Sequence, residues 1–238
     1  MASKVRLFVE HPLGEGQTVP LDRDRALYLF AVMRLGVGDV LTLINGRDGA
    51  WDATVIEGSK RGGVLRADRR TAPQIAPPDL WLMFAPIKKV RTDFIVEKAV
   101  ELGVARILPI VTDHTNEKAR QDKLQAHAVE AAEQCGGTFV PQVAEVARLS
   151  AVLDGWDDRR ILFCDEGLAG TAAQLDALTP GPWAVLIGPE GGFSADERAR
   201  LHAMPQAQAV SLGPRILRAD TAAVAALTLW QARLGDWR

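Results

Sequence analysis

Hydrophobic and polar positions change their pattern near residue 72. Before it, β-prone runs at 39–44, 50–56 and 63–67 are separated by turn residues such as Asn45-Gly46 and Asp48-Gly49. This pattern predicts a small antiparallel sheet or barrel, with a short amphipathic helix over 25–34 packed on it. The stretch 71–78 has three prolines in eight residues and no periodicity, which predicts an extended linker. We place the boundary between two domains, 1–72 and 73–238, at this linker.

Beyond the linker, apolar strand-like runs alternate with helical patterns. The runs cover 80–84, 106–111, 161–164, 183–187 and 209–212. Such alternation predicts an α/β domain whose parallel sheet is covered on both faces. Helices are predicted over 94–102 with Gly103 as C-cap, over 121–135 with a stop at Gly136-Gly137, from a capping box at 194–197, and over 222–234. The last helix is apolar over much of its circumference, which suits either a dimer interface or a buried core helix.

Composition narrows the protein class. The 238 residues carry 28 Lys and Arg against 30 Asp and Glu, and 47% are hydrophobic, which excludes a disordered tail, a collagen-like fibre and a strongly basic nucleic-acid coat. The N-terminus has charges and a proline where a secretory signal needs apolar residues, and no apolar run of about 18 residues occurs, so we expect a cytoplasmic protein with no membrane contact. Cys135 and Cys164 lie far apart, so neither a zinc site nor a disulfide is predicted, and no metal is expected.

Two loops carry the candidate chemistry. Gly188-Pro189-Glu190-Gly191-Gly192 follows an apolar strand and precedes the capping box, and the loop over 212–221 again joins a strand to a helix, with a capping Asp or Thr expected at its end. The carboxyl ends of strands in an open α/β sheet are where ligands usually bind, and glycines let a ligand approach the backbone closely. In the second loop, apolar residues suit an adenine, while Arg215 and Arg218 suit a phosphate or a nucleobase carbonyl. Taken singly, a plain strand-to-helix turn explains either loop.

Other motifs add little by themselves. A GxGxxG after a strand, GxxxxGK[ST], HExxH and GxSxG are all absent, which removes the common dinucleotide, phosphate, zinc-protease and serine-hydrolase interpretations. On the helix before Gly136, the side chains of Glu130, Glu133 and Gln134 share one face, for which a solvated surface is the default interpretation.

Together these segments resemble the RsmE family, the 16S ribosomal RNA uridine N3-methyltransferases of the SPOUT superfamily. The resemblance rests on RLFV at 6–9, RLGVGDV at 34–40, FIVEKAVELGVARILP at 94–109, EAAEQCGGTFVP at 130–141, IGPEGGFS at 187–194 and SLGPRILRADTAA at 211–223. The last two blocks, in this order and spacing, are far more specific than either alone.

The resemblance implies an N-terminal PUA-like β-barrel that docks RNA and a C-terminal α/β domain threaded into a trefoil knot, a rare exception to unknotted chains. It implies a homodimer whose second subunit helps to build the active site. It also implies that S-adenosylmethionine binds to loops after three strands, at 164–166, 188–192 and 212–218. The cofactor-binding residues implied are Glu166, Gly188, Pro189, Glu190, Gly191, Gly192, Leu212, Gly213, Pro214, Ile216 and Leu217.

This sequence departs from the family at three places. Gly137 stands where many members have Arg, the stretch 112–116 reads TDHTN in place of a Thr-x-Arg-Ser-like sequence, and Asp220 replaces a usual Glu. The lost arginines concern contacts to RNA or to the partner subunit, while the cofactor loops are intact.

Methylation at uracil N3 requires loss of the N3 proton and stabilisation of the negative charge that develops on O2 or O4. Arg218 and Arg215 are the catalytic candidates for this stabilisation, although one of them is equally suited to grip a phosphate. Glu190, Asp220 and water remain open as the general base. His114 and His11 are more often incidental, as lone loop histidines usually are.

Two alternatives accompany this interpretation. One is a non-catalytic RNA-binding or ribosome-assembly module, and the other is a SPOUT methyltransferase that acts on a different RNA. Detectable binding of S-adenosylmethionine separates an enzyme from the module.

The charge balance averages two unlike halves. Residues 1–72 carry 11 basic and 9 acidic side chains, whereas residues 73–238 carry 17 and 21, which together give the totals of 28 and 30. RNA binding needs only a local basic face. We therefore expect 16S rRNA of the small ribosomal subunit to contact the N-terminal domain and the linker side of the knot, through Arg6, Arg34, Lys60, Arg61, Arg66, Arg69, Arg70, Lys88, Lys89 and Arg91.

Overall fold

The computed structural model describes residues 5–169 and 178–237, and the chain divides into two compact units. The first contains Met1–Ala76 and Ala132–Val140, and the second contains Pro77–Ala131 and Pro141–Arg238. Residues 73–76 and the separate segment 132–140 thus belong with the first unit. The predicted boundary after residue 72 places both in the second domain. The outer ends of both predicted domains, 1–4 and 238, lie outside the described residues.

The first unit is built on a five-stranded sheet in the order β1-β3-β4-β5-β2. The strands are β1 (Arg6–Phe8), β2 (Thr18–Leu21), β3 (Val40–Ile44), β4 (Ala50–Ser59) and β5 (Gly62–Ala72). β1 pairs with β3 in parallel, while the β3–β4, β4–β5 and β5–β2 pairs are antiparallel. The three strands predicted from the sequence are confirmed, and β1 and β2 are additional.

The core of this unit follows the two-residue period of its strands. Leu41 and Leu43 of β3 and Leu65 and Ala67 of β5 are buried together with the inward residues of β2 and β4. Arg66 between them is exposed. One face of the sheet therefore packs inward and the other carries charge.

The predicted helix over 25–34 differs in extent and in type. An α-helix, α1 (Arg23–Leu27), begins after the N-cap Asp22 and continues as a π-helix over Tyr28–Val32. Arg34 then adopts a positive φ of 59°, which ends the helix. The ring of Phe30 in the π-helix lies close to Gly58 and Gly63, where a Cβ would come within 2.9 and 2.8 Å of it. The π-helical turn, which is wider than an α-helical one, thus lies where the helix contacts the β4–β5 hairpin.

The Pro-rich stretch begins later than predicted. β5 continues through Thr71 and Ala72, and the Thr71 hydroxyl donates a hydrogen bond to the carbonyl of Ala50 (3.1 Å). Regular structure is absent only from 73–78 in this stretch. At Thr71 and Ala72, the first two residues of the predicted linker, pairing of β5 with β4 therefore outweighs the local preference for an extended linker.

The segment 132–140 attaches to the first unit by specific hydrogen bonds. The Glu133 carboxylate accepts from the backbone N–H of Phe8 (2.7 Å), and the Arg6 guanidinium donates to the carbonyl of Gly137 (2.6 Å). The Thr138 hydroxyl accepts from the N–H of Ile75 (3.2 Å). The predicted solvated face is therefore wrong for Glu133, which completes the hydrogen bonding of β1, while Glu130 and Gln134 are exposed.

The second unit is an all-parallel sheet. Its strands are β6 (Leu80–Phe84), β7 (Arg106–Val111), β8 (Gln142–Val143), β9 (Ala147–Arg148), β10 (Arg160–Cys164), β11 (Trp183–Ile187) and β12 (Ala207–Val210). The order is β12-β10-β11-β6-β7-β8, and β9 also pairs with β7. The predicted parallel sheet is confirmed, but β12 lies two residues earlier than expected, and the two-residue strands β8 and β9 carry no pattern long enough to detect. The trefoil knot stays a prediction.

Within 5–169 and 178–237, five further α-helices follow α1: α2 (Lys89–Glu101), α3 (Gln121–Cys135), α4 (Leu149–Asp154), α5 (Ala195–Ala203) and α6 (Ala219–Leu234). Gly103 takes the predicted left-handed conformation, with a φ of 71°, just beyond α2. The predicted stop of α3 is confirmed at Gly136, which has a φ of 79°. Ser194 and Glu197 form the predicted capping box of α5. None of the helices in the described part of the chain combines the length and apolarity that a membrane span requires.

Helix α6 begins three residues before its predicted start. Its N-cap is Arg218, which makes no side-chain capping hydrogen bond, so the expected cap at Asp220 or Thr221 is wrong. The helix buries Ala223, Leu227 and Trp230 and packs against β11 and α2. Burial within its own unit thus explains much of its apolar character.

We predict that alanine at Gly49 destabilises the protein more than alanine at Gly38. Both have positive φ, +87° and +92°, so both substitutions incur the left-handed penalty of roughly 1–2 kcal/mol. A Cβ at Gly49 would also come 2.2 Å from the carbonyl oxygen of Ala72, whereas nothing lies within 4 Å of one at Gly38. Overpacking should add about 1–3 kcal/mol at Gly49. Urea unfolding of the two variants measures the difference in their free energies of unfolding. Equal losses would contradict the close approach of Gly49 to the Ala72 carbonyl.

Candidate functional site

A cavity of about 420 Å³ lies in the second unit, at the carboxyl ends of β10, β11 and β12. These strands are neighbours in the sheet, so the loops that follow them converge at one edge. The walls are formed by Lys88, Arg91, Cys164, Asp165, Glu166, Ala169, Ile187, Gly188, Pro189, Glu190, Gly192, Val210, Leu212, Gly213, Arg215, Ile216, Leu217, Arg218, Ala219 and Ala222.

The loop after β11 requires glycine at two positions. A Cβ at Gly188 would come 2.7 Å from the buried ring of Phe193, and a Cβ at Gly192 would come 2.0 Å from a Glu166 carboxylate oxygen. Gly192 also has a positive φ of 67°. The loop is therefore compact, and it brings its backbone against the loop that follows β10.

Glu166 lies in that neighbouring loop, in a 3-10 turn over Glu166–Leu168. Its side chain lines the cavity, and the described residues provide no hydrogen-bond partner for its carboxylate. An unsatisfied carboxylate at a cavity wall is suited to accept hydrogen bonds from hydroxyl or ammonium groups of a ligand.

The loop after β12 supplies an apolar wall and two cations. Ser211 is buried, and its hydroxyl accepts from the N–H of Gly213 (3.3 Å), which stabilises the start of the loop. Leu212, Gly213, Ile216 and Leu217 line the cavity. Arg215 and Arg218 line it as well and remain exposed, so both guanidinium groups are available to a ligand or to RNA.

An ion-pair cluster borders the cavity. Arg91 of α2 forms an ion pair with Glu190, and its Nε lies 3.9 Å from a carboxylate oxygen of Asp220. The cluster joins α2, the loop 188–192 after β11 (the glycine loop) and the first turn of α6. Arg91 is half-buried here, although the sequence suggested it only as an RNA contact.

The structure brings together most of the predicted cofactor residues. Gly191 and Pro214 do not line the cavity, whereas the others do, namely Glu166, Gly188, Pro189, Glu190, Gly192, Leu212, Gly213, Ile216 and Leu217. The carbonyl of Gly191 is turned to His114, whose Nδ1 lies 2.9 Å from it. Because a carbonyl only accepts, this His114 nitrogen carries the proton. The binding roles of these residues stay predictions.

Several wall residues were not among the cofactor-binding residues named from the sequence. Ile187 and Val210 end strands, Ala219 and Ala222 begin α6, and Asp165 follows β10 directly. The sequence shows that Asp165 follows a strand. Its hydrogen-bond partners on α5 are distant in sequence, so the residues next to Asp165 do not reveal them.

The predicted RNA-contacting residues of the first unit are mostly exposed. Lys60 and Arg61 form the turn between β4 and β5, and Arg34 and Arg70 are exposed too. Arg66 pairs with Asp68 (2.7 Å) and Arg69 pairs with Asp52 (3.0 Å), both at the surface. In the second unit, Lys89 pairs with Asp93 at an exposed position, and Lys88 lines the cavity.

Arg6 differs from the other basic candidates. It is half-buried beside the segment 132–140, and burial lowers the pKa of its guanidinium. Its hydrogen bond to Gly137 gives it a structural role within the first unit. The sequence offered no sign of this, because the partner lies 131 residues away.

The described residues include no metal site, and His11 is not one of the cavity-wall residues. Within 5–169 and 178–237, no group of three or more His, Cys, Asp or Glu side chains is placed to hold a metal ion. His11 belongs to the first unit, where its carbonyl accepts from the Asn45 amide (3.0 Å).

The two cysteines lie in opposite environments. Cys135 is exposed, whereas Cys164 is buried in the cavity wall. Burial raises the pKa of the Cys164 thiol from 9.0 to about 12, because the thiolate is disfavoured away from water. The native protein therefore keeps this thiol protonated at neutral pH.

We predict that an aromatic disulfide reagent at pH 8 titrates one thiol in the native protein and two after unfolding. Cys135→Ser should abolish the fast reaction, which identifies the reactive thiol, and Cys164→Ala should leave it unchanged. Since the folded-state pKa of Cys164 is the higher one, its contribution to the free energy of unfolding is present below pH 9 and is lost as the pH rises from 9 towards 12. Two equally fast thiols in the native protein would contradict the buried position.

Comparison with known proteins agrees with this geometry. A family model described as an RNA methyltransferase domain matches residues 75–231, and one described as an RNA methyltransferase PUA domain matches 21–67. The ribosomal RNA small subunit methyltransferase E of Rickettsia conorii is 28% identical over 96% of this chain and 95% of its own length.

Two solved structures are similar over the whole chain. The ribosomal RNA small subunit methyltransferase E of Neisseria gonorrhoeae, bound to S-adenosylmethionine, has a TM-score of 0.89 at 28% identity and covers 98% of this chain and 99% of that one. A methyltransferase of Legionella pneumophila, also with S-adenosylmethionine, has a TM-score of 0.88 at 29% identity and covers 98% of both chains. With its PUA-like first unit and its parallel-sheet second unit, the chain belongs to the RsmE family of RNA methyltransferases.

Proposed function

We propose that the protein transfers a methyl group from S-adenosylmethionine to N3 of a uridine in the 16S RNA of the small ribosomal subunit. The observation that carries this proposal is the convergence of three strand-end loops on one cavity. The names of the relatives and the cofactor in both similar structures support the substrate and the methyl donor. We place this activity in the cytoplasm, where ribosomal subunits are assembled.

The cavity fits the proposed donor. Its volume of about 420 Å³ lies within the roughly 300–1,000 Å³ of small-molecule sites. The apolar side chains of Ile187, Leu212 and Leu217, with the exposed backbone of the glycine loop, suit the adenine ring, and the free Glu166 carboxylate suits hydroxyl or ammonium groups. S-adenosylmethionine supplies the electrophilic methyl of its sulfonium.

Arg218 and Arg215 supply the catalytic charge in this proposal. As negative charge develops on a uracil carbonyl oxygen, a guanidinium held near that oxygen stabilises the transition state more than the ground state. Arg218 is the N-cap of α6, so its backbone is fixed by the helix that begins there, and the positive end of the helix adds to its field.

The N3 proton is assigned to solvent water. Glu190 and Asp220, the two carboxylates suggested as a base, both contact Arg91 and are thereby engaged within the protein. Stabilisation of the uracil anion by the arginines makes loss of the proton to water easier.

RNA docking is assigned to the first unit. The PUA family match and the exposed basic side chains of the β4–β5 hairpin support this assignment. Phosphate contacts need only such a local group of cations, so the net charge of −2 does not oppose them.

A homodimer completes the proposal. Among the described residues of the second unit, four large apolar side chains are exposed, namely Val90 (81%), Ile216 (74%), Trp237 (52%) and Phe94 (38%). Ile216 lies in the cavity wall, and Val90 is adjacent to Arg91. A second copy that covers these side chains would bring its own residues to the cavity mouth.

We predict that Arg218→Ala lowers kcat for methyl transfer to small subunits that lack the modification by about 10²–10³, the usual loss when one charge-stabilising donor is removed. The affinity for S-adenosylmethionine should change little, because the role of Arg218 is confined to the transition state. Arg200→Ala, which removes an exposed arginine of α5, is the matched control and should transfer methyl at the normal rate.

Three results of this experiment are decisive. No transfer by the wild-type protein, with the donor bound, would exclude the proposed reaction and favour an RNA-binding module. Transfer to another RNA but not to small subunits would change the substrate. Normal transfer by Arg218→Ala would exclude that residue from catalysis.

We predict that Gly192→Ala weakens binding of S-adenosylmethionine by at least about tenfold, which corresponds to about 1.4 kcal/mol. The new Cβ would overlap the Glu166 carboxylate and push this wall of the cavity out of place. Gly136→Ala is the control, since Gly136 has a similar φ of +79° and nothing within 4 Å of the built Cβ. Calorimetry measures both, and unchanged binding by Gly192→Ala would contradict the assigned position of the cofactor.

A further inference from the structure

We propose that Asp165 is a positioning residue that turns helix α5 into a brace for two loops of the cavity. The proposal rests on the proposed binding of S-adenosylmethionine and adds to it the group that holds Glu166 in place. Asp165 lines the cavity, and it belongs to the cofactor loop 164–166 expected from the sequence, where no role of its own was assigned to it.

The side chain of Asp165 is completely buried, with 0% of its surface exposed, yet it is a carboxylate. One oxygen accepts from the backbone N–H of Gly167 (2.9 Å). The other accepts from the guanidinium of Arg198 (3.0 Å) and from Nε2 of His202 (3.0 Å). A buried carboxylate is expensive unless it is paired and hydrogen-bonded, so these donors are a condition for its position.

The hydrogen bond to Gly167 acts on the loop itself. Asp165 is the N-cap of the 3-10 turn that contains Glu166, so its carboxylate fixes the backbone on both sides of Glu166. The backbone N–H of Asp165 donates to Val210 of β12 (3.3 Å), which anchors the turn to the sheet. The direction of the Glu166 side chain into the cavity therefore depends on Asp165.

Helix α5 provides the other two donors, and it is also tied to the glycine loop. The capping box at Ser194 and Glu197 begins the helix two residues after Gly192. Phe193, between them, packs edge-on against Phe163 of β10 at 5.0 Å, and the His202 ring packs on the same Phe163 at 5.7 Å. The helix thus contacts the glycine loop at its start and the Asp165 loop through its middle and end.

The loop after β7 is bonded to the same helix start. The backbone N–H of Asp113 donates to Glu197 (3.0 Å), and the Ser194 hydroxyl donates to the Asp113 carboxylate (2.6 Å). These contacts leave the N-terminus of α5 little freedom to shift. Because α5 is held in place and contacts both the glycine loop and the Asp165 loop, it fixes the positions of these two loops relative to each other.

Gly167 shows how close the arrangement is. A Cβ at this position would lie 2.1 Å from a guanidinium nitrogen of Arg198. A side chain there would force the Arg198 guanidinium to shift from its position beside Asp165, so glycine at 167 leaves room for this ion pair.

The test compares Asp165→Asn and Arg198→Met with Arg200→Met in the full-length protein. Arg200 is on the same helix and pairs with the exposed Asp154 at 2.8 Å, so its loss removes an arginine–aspartate pair of α5 that touches no cavity loop. We expect the first two variants to weaken binding of S-adenosylmethionine by about tenfold or more, and Arg200→Met to bind normally.

Kinetic measurements distinguish positioning from stability alone. The KM for S-adenosylmethionine should rise in both variants, while the KM for the RNA substrate should stay unchanged. Arg198→Lys should restore part of the affinity, because a lysine can still reach the carboxylate. The double variant Asp165→Asn/Arg198→Met should bind S-adenosylmethionine about as well as the single variant with the lower affinity, since both changes break the same contact.

Two outcomes would overturn the proposal. One is a lower melting temperature of Asp165→Asn and Arg198→Met with unchanged cofactor affinity, which would make the ion pair a stability element only. The other is an equal loss of affinity in Arg200→Met. If Asp165→Asn fails to fold, Arg198→Met and Arg198→Lys still decide the question. Failure of the wild-type protein to bind S-adenosylmethionine would contradict the proposed function, a result distinct from both of these.

Discussion

Parallel pairing of β10 with β11 on one side and β12 on the other is the constraint on which the site depends. In a parallel arrangement all three strands end at the same edge, so three loops that are far apart in sequence enclose one cavity. β10 and β11 are buried and apolar, which holds their register firmly. The loops can then carry glycines, prolines and charged residues that would not sustain a fold by themselves.

The sequence predicts those parts of the fold that depend on local physics. The capping box of α5, the left-handed Gly103, the stop of α3 at Gly136, and the apolar strands of the second unit are each determined by residues within one turn or one strand. The missed parts depend on distant partners. β1 has three residues and exists because it pairs with β3, and Glu133 is held by Phe8, 125 positions away. No periodicity within three residues reveals such pairing.

The candidate site divides in the same way. The motifs identify the loops, because glycine and proline at a strand end have a local meaning. They do not reveal which residues face inward: Gly191 turns to His114, whereas its neighbours line the cavity. Nor do they reveal that Arg91 contacts Glu190 and Asp220, since these three residues come from separate parts of the chain. Long-range electrostatic partners are decided by the assembled fold and not by spacing.

The basic residues of the first unit show how a nearly neutral protein can still suit a polyanion. Arg66 and Arg69 are already paired with Asp68 and Asp52, but at the surface, where such pairs contribute only about 0–1 kcal/mol. An RNA phosphate can therefore replace the carboxylate at little cost and release its own counterions. Asp165 is the opposite case, because its own carboxylate is buried, although Arg198 and His202 are partly exposed, and loss of these partners would leave a charge without water. The same ion-pair chemistry thus gives exchangeable contacts on the exposed sheet face and permanent ones beneath the cavity, and solvent access alone separates the two.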